Sequence, residues 1–143
     1  MAVTFESIHE IEPHSDWHWG TVSHNGHRLD VAVIGNISRL RDLVGKTVCA
    51  EFELNEVLEI KVGLERYDSI SGFFPLPDGQ IQIDGTVHQV TEIASDFAIF
   101  DVYIQNGAEF IAFDSDQLQN AGPKIDTRIQ IRGKGLRVYP TFT

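Results

Sequence analysis

A short word occurs twice in this chain: Gly20-Thr21-Val22-Ser23-His24 returns as Gly85-Thr86-Val87-His88-Gln89. A second echo sets Leu58-Glu59-Ile60-Lys61-Val62 against Leu136-Arg137-Val138-Tyr139-Pro140. Both copies place a Gly-Thr-Val strand before a Leu-x-hydrophobic strand. The separations are 85 − 20 = 65 and 136 − 58 = 78, so the second copy carries 78 − 65 = 13 further residues, most naturally around 94–107. A strand pattern used twice predicts two small rolled sheets, or one rolled sheet made of two similar halves.

The strongest local signal is Asn25-Gly26, which separates two β-rich runs, Trp17–His24 and His27–Ile34. This pair suits a two-residue type I′ turn, whose central residues both need positive φ. Counting outward pairs His24 with His27, Val22 with Leu29, Gly20 with Val31 and His18 with Val33 on one face. Trp17, Trp19, Thr21 and Ser23 then share the other face. A helix is expected over 37–44. Asn36 can cap its first turn, Ile37, Leu40 and Val44 form an apolar stripe, and Gly45 ends it.

Alternating strands follow at 47–54 and 57–62, and later near 80–90, 97–105, 109–113, 125–132 and 135–139. Asn106-Gly107 and Gly133-Lys134 read as turns, and 114–123 as a loop with one helical turn at 116–120. The stretch 63–79 contains Gly72, Pro75, Pro77 and Asp78-Gly79 together with Ile70, Phe73, Phe74 and Leu76. It reads as a turn-prone connector that packs. The expected layout is a first half at 1–66, an apolar connector at 67–79 and a second half at 80–143. The fold class is all-β, mainly antiparallel, with one short helix. The order strand, hairpin, helix, strand, strand, with Gly-Thr-Val entering each half, resembles the OB fold. That resemblance implies two OB-like half-repeats or a single partly open β-barrel.

The chain has 143 residues and a net charge of −10, enough length to bury a core of its own. Such a surface repels a phosphate backbone, which disfavours nucleic acid. No stretch reaches the length of a membrane span, no basic-then-apolar leader is visible, and the one cysteine, Cys49, excludes an intramolecular disulfide framework. A reducing cytoplasm is the expected compartment. No Lys or Arg lies between Arg66 and Lys124, whereas Lys124, Arg128, Arg132, Lys134 and Arg137 cluster after it. The expectation is that Asp84, Asp101 or Asp114 neutralises this basic stripe.

Three groups of residues carry chemistry. Arg128, Arg132, Lys134 and Arg137 could hold a carboxylate or phosphate. Trp17 and Trp19, neighbours on one strand face, could stack a base or sugar ring. Because Trp is usually buried, the expectation is that one ring covers the barrel end and the other packs under the 10–16 loop. His9, His14, His18, His24 and His27 are five of the six histidines. Of these, His14, His18, His24 and His27 are candidate ligands for a divalent transition metal, although their spacing matches no strong metal signature. No cofactor is otherwise implied. Val44-Gly45-Lys46-Thr47 lacks the first glycine of a phosphate loop, no Gly-x-Ser-x-Gly elbow exists, and Cys49 has no cation beside it. The sequence therefore favours a non-catalytic soluble binding module with a protein partner of basic character. A binder of single-stranded nucleic acid or oligosaccharide is the first alternative, and a small metal-dependent enzyme the second. Open strand edges also allow a homodimer.

Overall fold

The structure is a computed structural model that describes residues 2–12, 14–63, 72–104, 109–119 and 122–141. Its elements are β1 (Ala2–His9), β2 (Trp17–His24), β3 (His27–Ile34), α1 (Ile37–Arg41), β4 (Thr47–Val62), β5 (Gly72–Pro75), β6 (Gln80–Ala94), β7 (Phe97–Ile104), β8 (Glu109–Asp114) and β9 (Arg128–Pro140), with a 3-10 turn at Pro77–Gly79. The protein is mainly antiparallel β with a single short helix, and its sheet is partly closed into a ring and is not a clean barrel. Among the described residues no helix is long and apolar enough to cross a membrane.

By contact the chain forms two units, Met1–Glu53 with Gly135–Thr143, and Leu54–Lys134. β4 and β9 each contribute residues to both units.

In the first unit, β1 pairs antiparallel with β2 and with β4, β2 pairs with β3, and β3 lies parallel to β9 at Ala32↔Arg137 and Val33↔Val138. That short parallel contact partly closes the ring. The helix lies between the third and fourth strands. The β2–β3 register is the one the turn dictates, with His24↔His27, Val22↔Leu29, Gly20↔Val31 and His18↔Val33. Asn25 and Gly26 both adopt positive φ, 49° and 83°, as a type I′ turn requires. Every second residue of β2 (His18, Gly20, Val22 and His24) points inward, and Phe5, Leu29 and Val33 fill the same core.

The helix is shorter than the sequence suggested. Asn36 caps it by accepting the Ser38 N–H at 3.0 Å, but the helix ends at Arg41. Leu43 is buried where Val44 was expected to be, and Val44 is exposed. After the helix the Leu43 N–H donates to the Leu40 carbonyl, and the Gly45 N–H donates to the Phe5 carbonyl at 2.7 Å. The chain thus turns toward β1 before a second helical turn can form.

In the second unit the order is β4-β9-β6-β7-β8, with β5 also on β6. One edge of β6 carries β9, and the other carries β5 and then β7. The register slips around His88 and again around Ile93, which lets β6 bend. Phe73, Ile83, Val102, Ile111 and Ile131 fill the core. The loop after β8 is a run of turns over 115–119. The expected helical turn at 116–120 reaches beyond the described residues at Asn120, as does the Asn106-Gly107 turn, and 64–71 of the connector also lie outside them.

Two other readings change. β4 is one strand of 16 residues, not two. β9 runs straight through Gly133-Lys134. Gly133 serves a close approach and not a turn, since a Cβ there would collide with the Glu56 carbonyl and lie 2.6 Å from Leu54 Cδ2.

The repeated glycines share that role but not a place in the topology. A Cβ on Gly20 in β2 would sit 2.8 Å from Val33 Cγ2, and one on Gly85 in β6 would sit 2.6 Å from the Tyr103 carbonyl oxygen. The word recurs because each unit needs a strand that another backbone or branched side chain can press against.

Candidate functional site

The outward face of β2 carries Trp17 and Trp19, 37% and 54% exposed. The expected burial of these rings is overturned. The two rings pack edge-on against each other with centroids 5.1 Å apart and planes at 87°. Inward positions on β2 are taken by His18, Gly20 and Val22, so strand alternation turns both indoles to water. Ile34 and Ala32 lie opposite them on β3, and His9 lies opposite Trp19 on β1.

His18 organises the loop that leads to this pair. Its ring is fully buried. Nδ1 accepts the Ile11 N–H at 3.3 Å, and Nε2–H donates to the Ser15 carbonyl at 3.1 Å. A backbone N–H can only donate and a carbonyl can only accept, so these partners fix the neutral tautomer with the proton on Nε2. The Ser15 hydroxyl then donates to the Trp17 carbonyl at 2.9 Å. The loop is therefore braced from below by an imidazole and from the side by a hydroxyl.

That bracing removes His18 as a metal ligand, since both ring nitrogens are engaged. His24 is also buried, edge-on to Phe52 with centroids 5.9 Å apart, and the Asn25 amide nitrogen lies 3.2 Å from its Nε2. His27 faces it across the hairpin, half-buried, and His14 is exposed in the loop. Among the described residues no group of three or more His, Cys, Asp or Glu side chains is placed to hold a metal ion.

Around the tryptophans the first unit is acidic. Glu12 and Asp16 are exposed in the loop, and Asp30 on β3 accepts from the Thr21 hydroxyl at 3.3 Å. Arg28 and Arg41 are engaged by Glu6 at 2.6 Å and Glu10 at 2.8 Å. The Glu6 carboxyl is held below its ordinary range, chiefly by the Ser23 hydroxyl, which burial opposes and Arg28 supports.

Arg132, Lys134 and Arg137 of the basic stripe each pair with a glutamate of β4. In the first unit Arg137 pairs with Glu53 at 3.9 Å, and the Tyr139 hydroxyl donates to the same carboxylate at 2.8 Å, which raises the Tyr139 pKa. In the second unit Lys134 pairs with Glu56 at 3.6 Å and Arg132 with Glu59 at 3.1 Å. Arg132 also donates to Gln80 at 2.9 Å. Hydrogen bonds from Arg132 and Lys61 hold the Glu59 carboxyl below its ordinary range. The cause is strand adjacency: β4 lies beside β9 and presents Glu53, Glu56 and Glu59 along it. On β6, by contrast, Arg132 faces Gln82, and Asp84 faces Gln130 while accepting from Gln82 at 3.0 Å. Arg128, half-buried, faces Thr86. Trp17, Trp19 and Arg137 belong to the first unit, and Arg128, Arg132 and Lys134 to the second.

The sequence reading missed a second aromatic group. On the second unit His88, Tyr103 and Phe110 form a row of rings across β6, β7 and β8. Centroids are 4.1 Å apart for His88–Tyr103 and 5.5 Å for Tyr103–Phe110, with the latter planes 17° from parallel. The alternation of Phe97–Ile104 and Glu109–Asp114 could have placed Tyr103 and Phe110 on one face. Bringing in His88 required the β6 bulge, which no residue announces. Asp101 shares the face of Tyr103, and its carboxyl is pushed above its ordinary range by burial, with His88 pulling the other way.

Comparison with protein-family models and with curated proteins finds no match.

Proposed function

We propose that this chain is a non-catalytic binding module that docks a basic segment of a protein partner on the Trp17–Trp19 face of its first unit. The observation that carries this reading is the exposure of both indoles as one packed pair. A large amphipathic anchor held rigidly at the surface is the usual centre of a protein interface. Acidic neighbours and a net charge of −10 would speed and orient the approach of a cationic partner. The local arginines Arg28 and Arg41 are already engaged by carboxylates, which weighs against a phosphate ligand.

A neutral oligosaccharide is the second reading, favoured by paired indoles on the second strand of an OB-like unit. One experiment separates the two. Protein partners are recovered from native lysate with the wild type and with the Trp17→Ala/Trp19→Ala double variant, identified, and titrated against both forms by calorimetry, with the tryptophan fluorescence of the wild type followed in parallel. The docking reading expects a basic partner whose affinity falls at least about tenfold in the double variant and weakens with salt. Recovery of the same proteins by both forms overturns it. Fluorescence that responds only to a panel of neutral oligosaccharides transfers the site to the second reading.

A further inference from the structure

The row His88–Tyr103–Phe110 ends at the edge of a sheet. Among the described residues β8 pairs only with β7. The Ser115 N–H donates to the Ala98 carbonyl at 3.0 Å, so in the β7–β8 register Phe100↔Phe113 and Val102↔Ile111 are the bonded pairs. Phe110 and Ala112 fall between them, and their backbone N–H and C=O groups point away from β7. Asp114 is the next such position, but its N–H already donates to Gln117 Oε1 at 3.0 Å. The edge therefore offers a donor and an acceptor at each of two residues. Glu109-Phe110-Ile111-Ala112-Phe113-Asp114 contains no lysine and no proline, two residues that commonly protect an edge.

The side chains above this edge specify what could join it. Phe110 is 48% exposed and stacks on Tyr103 on its β7 side, so the next rung of the row would come from a strand added outside β8, at about 5 Å. No Lys or Arg lies anywhere from residue 67 to 123, so the charged side chains of β6, β7 and β8 are acidic apart from the imidazole of His88. Asp101 and Asp114 lie on the same face as Tyr103 and Phe110. A planar cation is the group that both stacks on a ring and suits an acidic field.

We infer that the β8 edge takes up an extended basic peptide of a partner as an added strand, with an arginine guanidinium stacked on Phe110 and backbone bonds to Phe110 and Ala112. This surface lies wholly in the second unit and does not involve the tryptophans.

The test uses the full chain and a dye-labelled peptide of alternating arginine and valine, read by fluorescence anisotropy. Comparison peptides carry lysine for arginine, glutamate for arginine, or N-methyl groups on alternate amides. The expected result is saturable binding of the arginine peptide, about tenfold weaker for the lysine peptide or for Phe110→Leu. Binding is expected to be absent for the glutamate and N-methylated peptides and for Ala112→Pro, and unchanged in Trp17→Ala/Trp19→Ala. The Ala112 N–H makes no bond within the sheet, and should this variant nevertheless unfold, the N-methylated peptide makes the same comparison on the wild type. Three results overturn the inference: equal binding of the N-methylated peptide, loss of binding in the tryptophan double variant, or a wild-type dimer that occupies this edge and is dissociated by Phe110→Leu.

Discussion

Two residues show how single side chains set local behaviour. His18 is a buried imidazole with both nitrogens bonded to backbone. His18→Ala would leave the Ile11 N–H and the Ser15 carbonyl without their partner, so we expect a loss of about 2–4 kcal/mol, read by urea unfolding. Loosening of the 10–16 loop should also shift the Trp17 and Trp19 emission. Tyr139 donates to the Glu53 carboxylate, and ionising the phenol would put a second negative charge beside the first. Its folded pKa is therefore raised above the unfolded one. The stability it adds is complete below the unfolded phenol range and disappears as pH rises through the folded value. Ultraviolet titration of wild type against Tyr139→Phe should find this phenol ionising above the ordinary range, and Glu53→Gln should bring it back down.

Among the elements, the β2–β3 hairpin was fully legible. Its register follows from Asn25-Gly26, because a turn of known length fixes every pair beyond it. Gly26 has φ 83° with open space around it, so Gly26→Ala should cost about 1–2 kcal/mol through backbone strain alone. Gly85→Ala acts by a different route. The backbone is unstrained there, but the new methyl would meet Val102 Cγ1 at 2.6 Å, and we expect a loss of about 1–3 kcal/mol from overpacking. Thermal or urea melts of the two variants check both values. The helix was legible at its start and not at its end, because Asn36 acts locally while termination depends on a hydrogen bond to distant Phe5. Trp17 and Trp19 were placed on the right face of β2 and given the wrong exposure. Alternation assigns a face, but only the neighbouring strands decide whether anything covers it. The same limit hid the acids that meet the basic stripe: which strand lies beside β9 is a matter of topology, and no local pattern reports it.

At the scale of the molecule, charge governs the response to pH. The Glu6 and Glu59 carboxyls ionise below their ordinary range in the folded protein. Their contribution is present above the unfolded carboxylate range and is lost as pH falls through their folded values. Asp101 works in the opposite sense: its raised pKa makes ionisation oppose folding as pH rises from the ordinary value toward the folded one. Urea titrations across the acid range should therefore show stability falling toward low pH, a shallower fall in Glu59→Gln, and a small gain near neutrality in Asp101→Asn. Added salt should weaken the exposed pairs Arg28–Glu6 and Arg41–Glu10. The first unit is built from Met1–Glu53 and Gly135–Thr143, which places a constraint on the order of events during synthesis. The strand segment that lies parallel to β3 leaves the ribosome only after the whole of Leu54–Lys134 has been made. The nascent N-terminal strands must wait with their apolar faces incompletely covered, and a holding chaperone or a pause in translation would act on the protein in that interval.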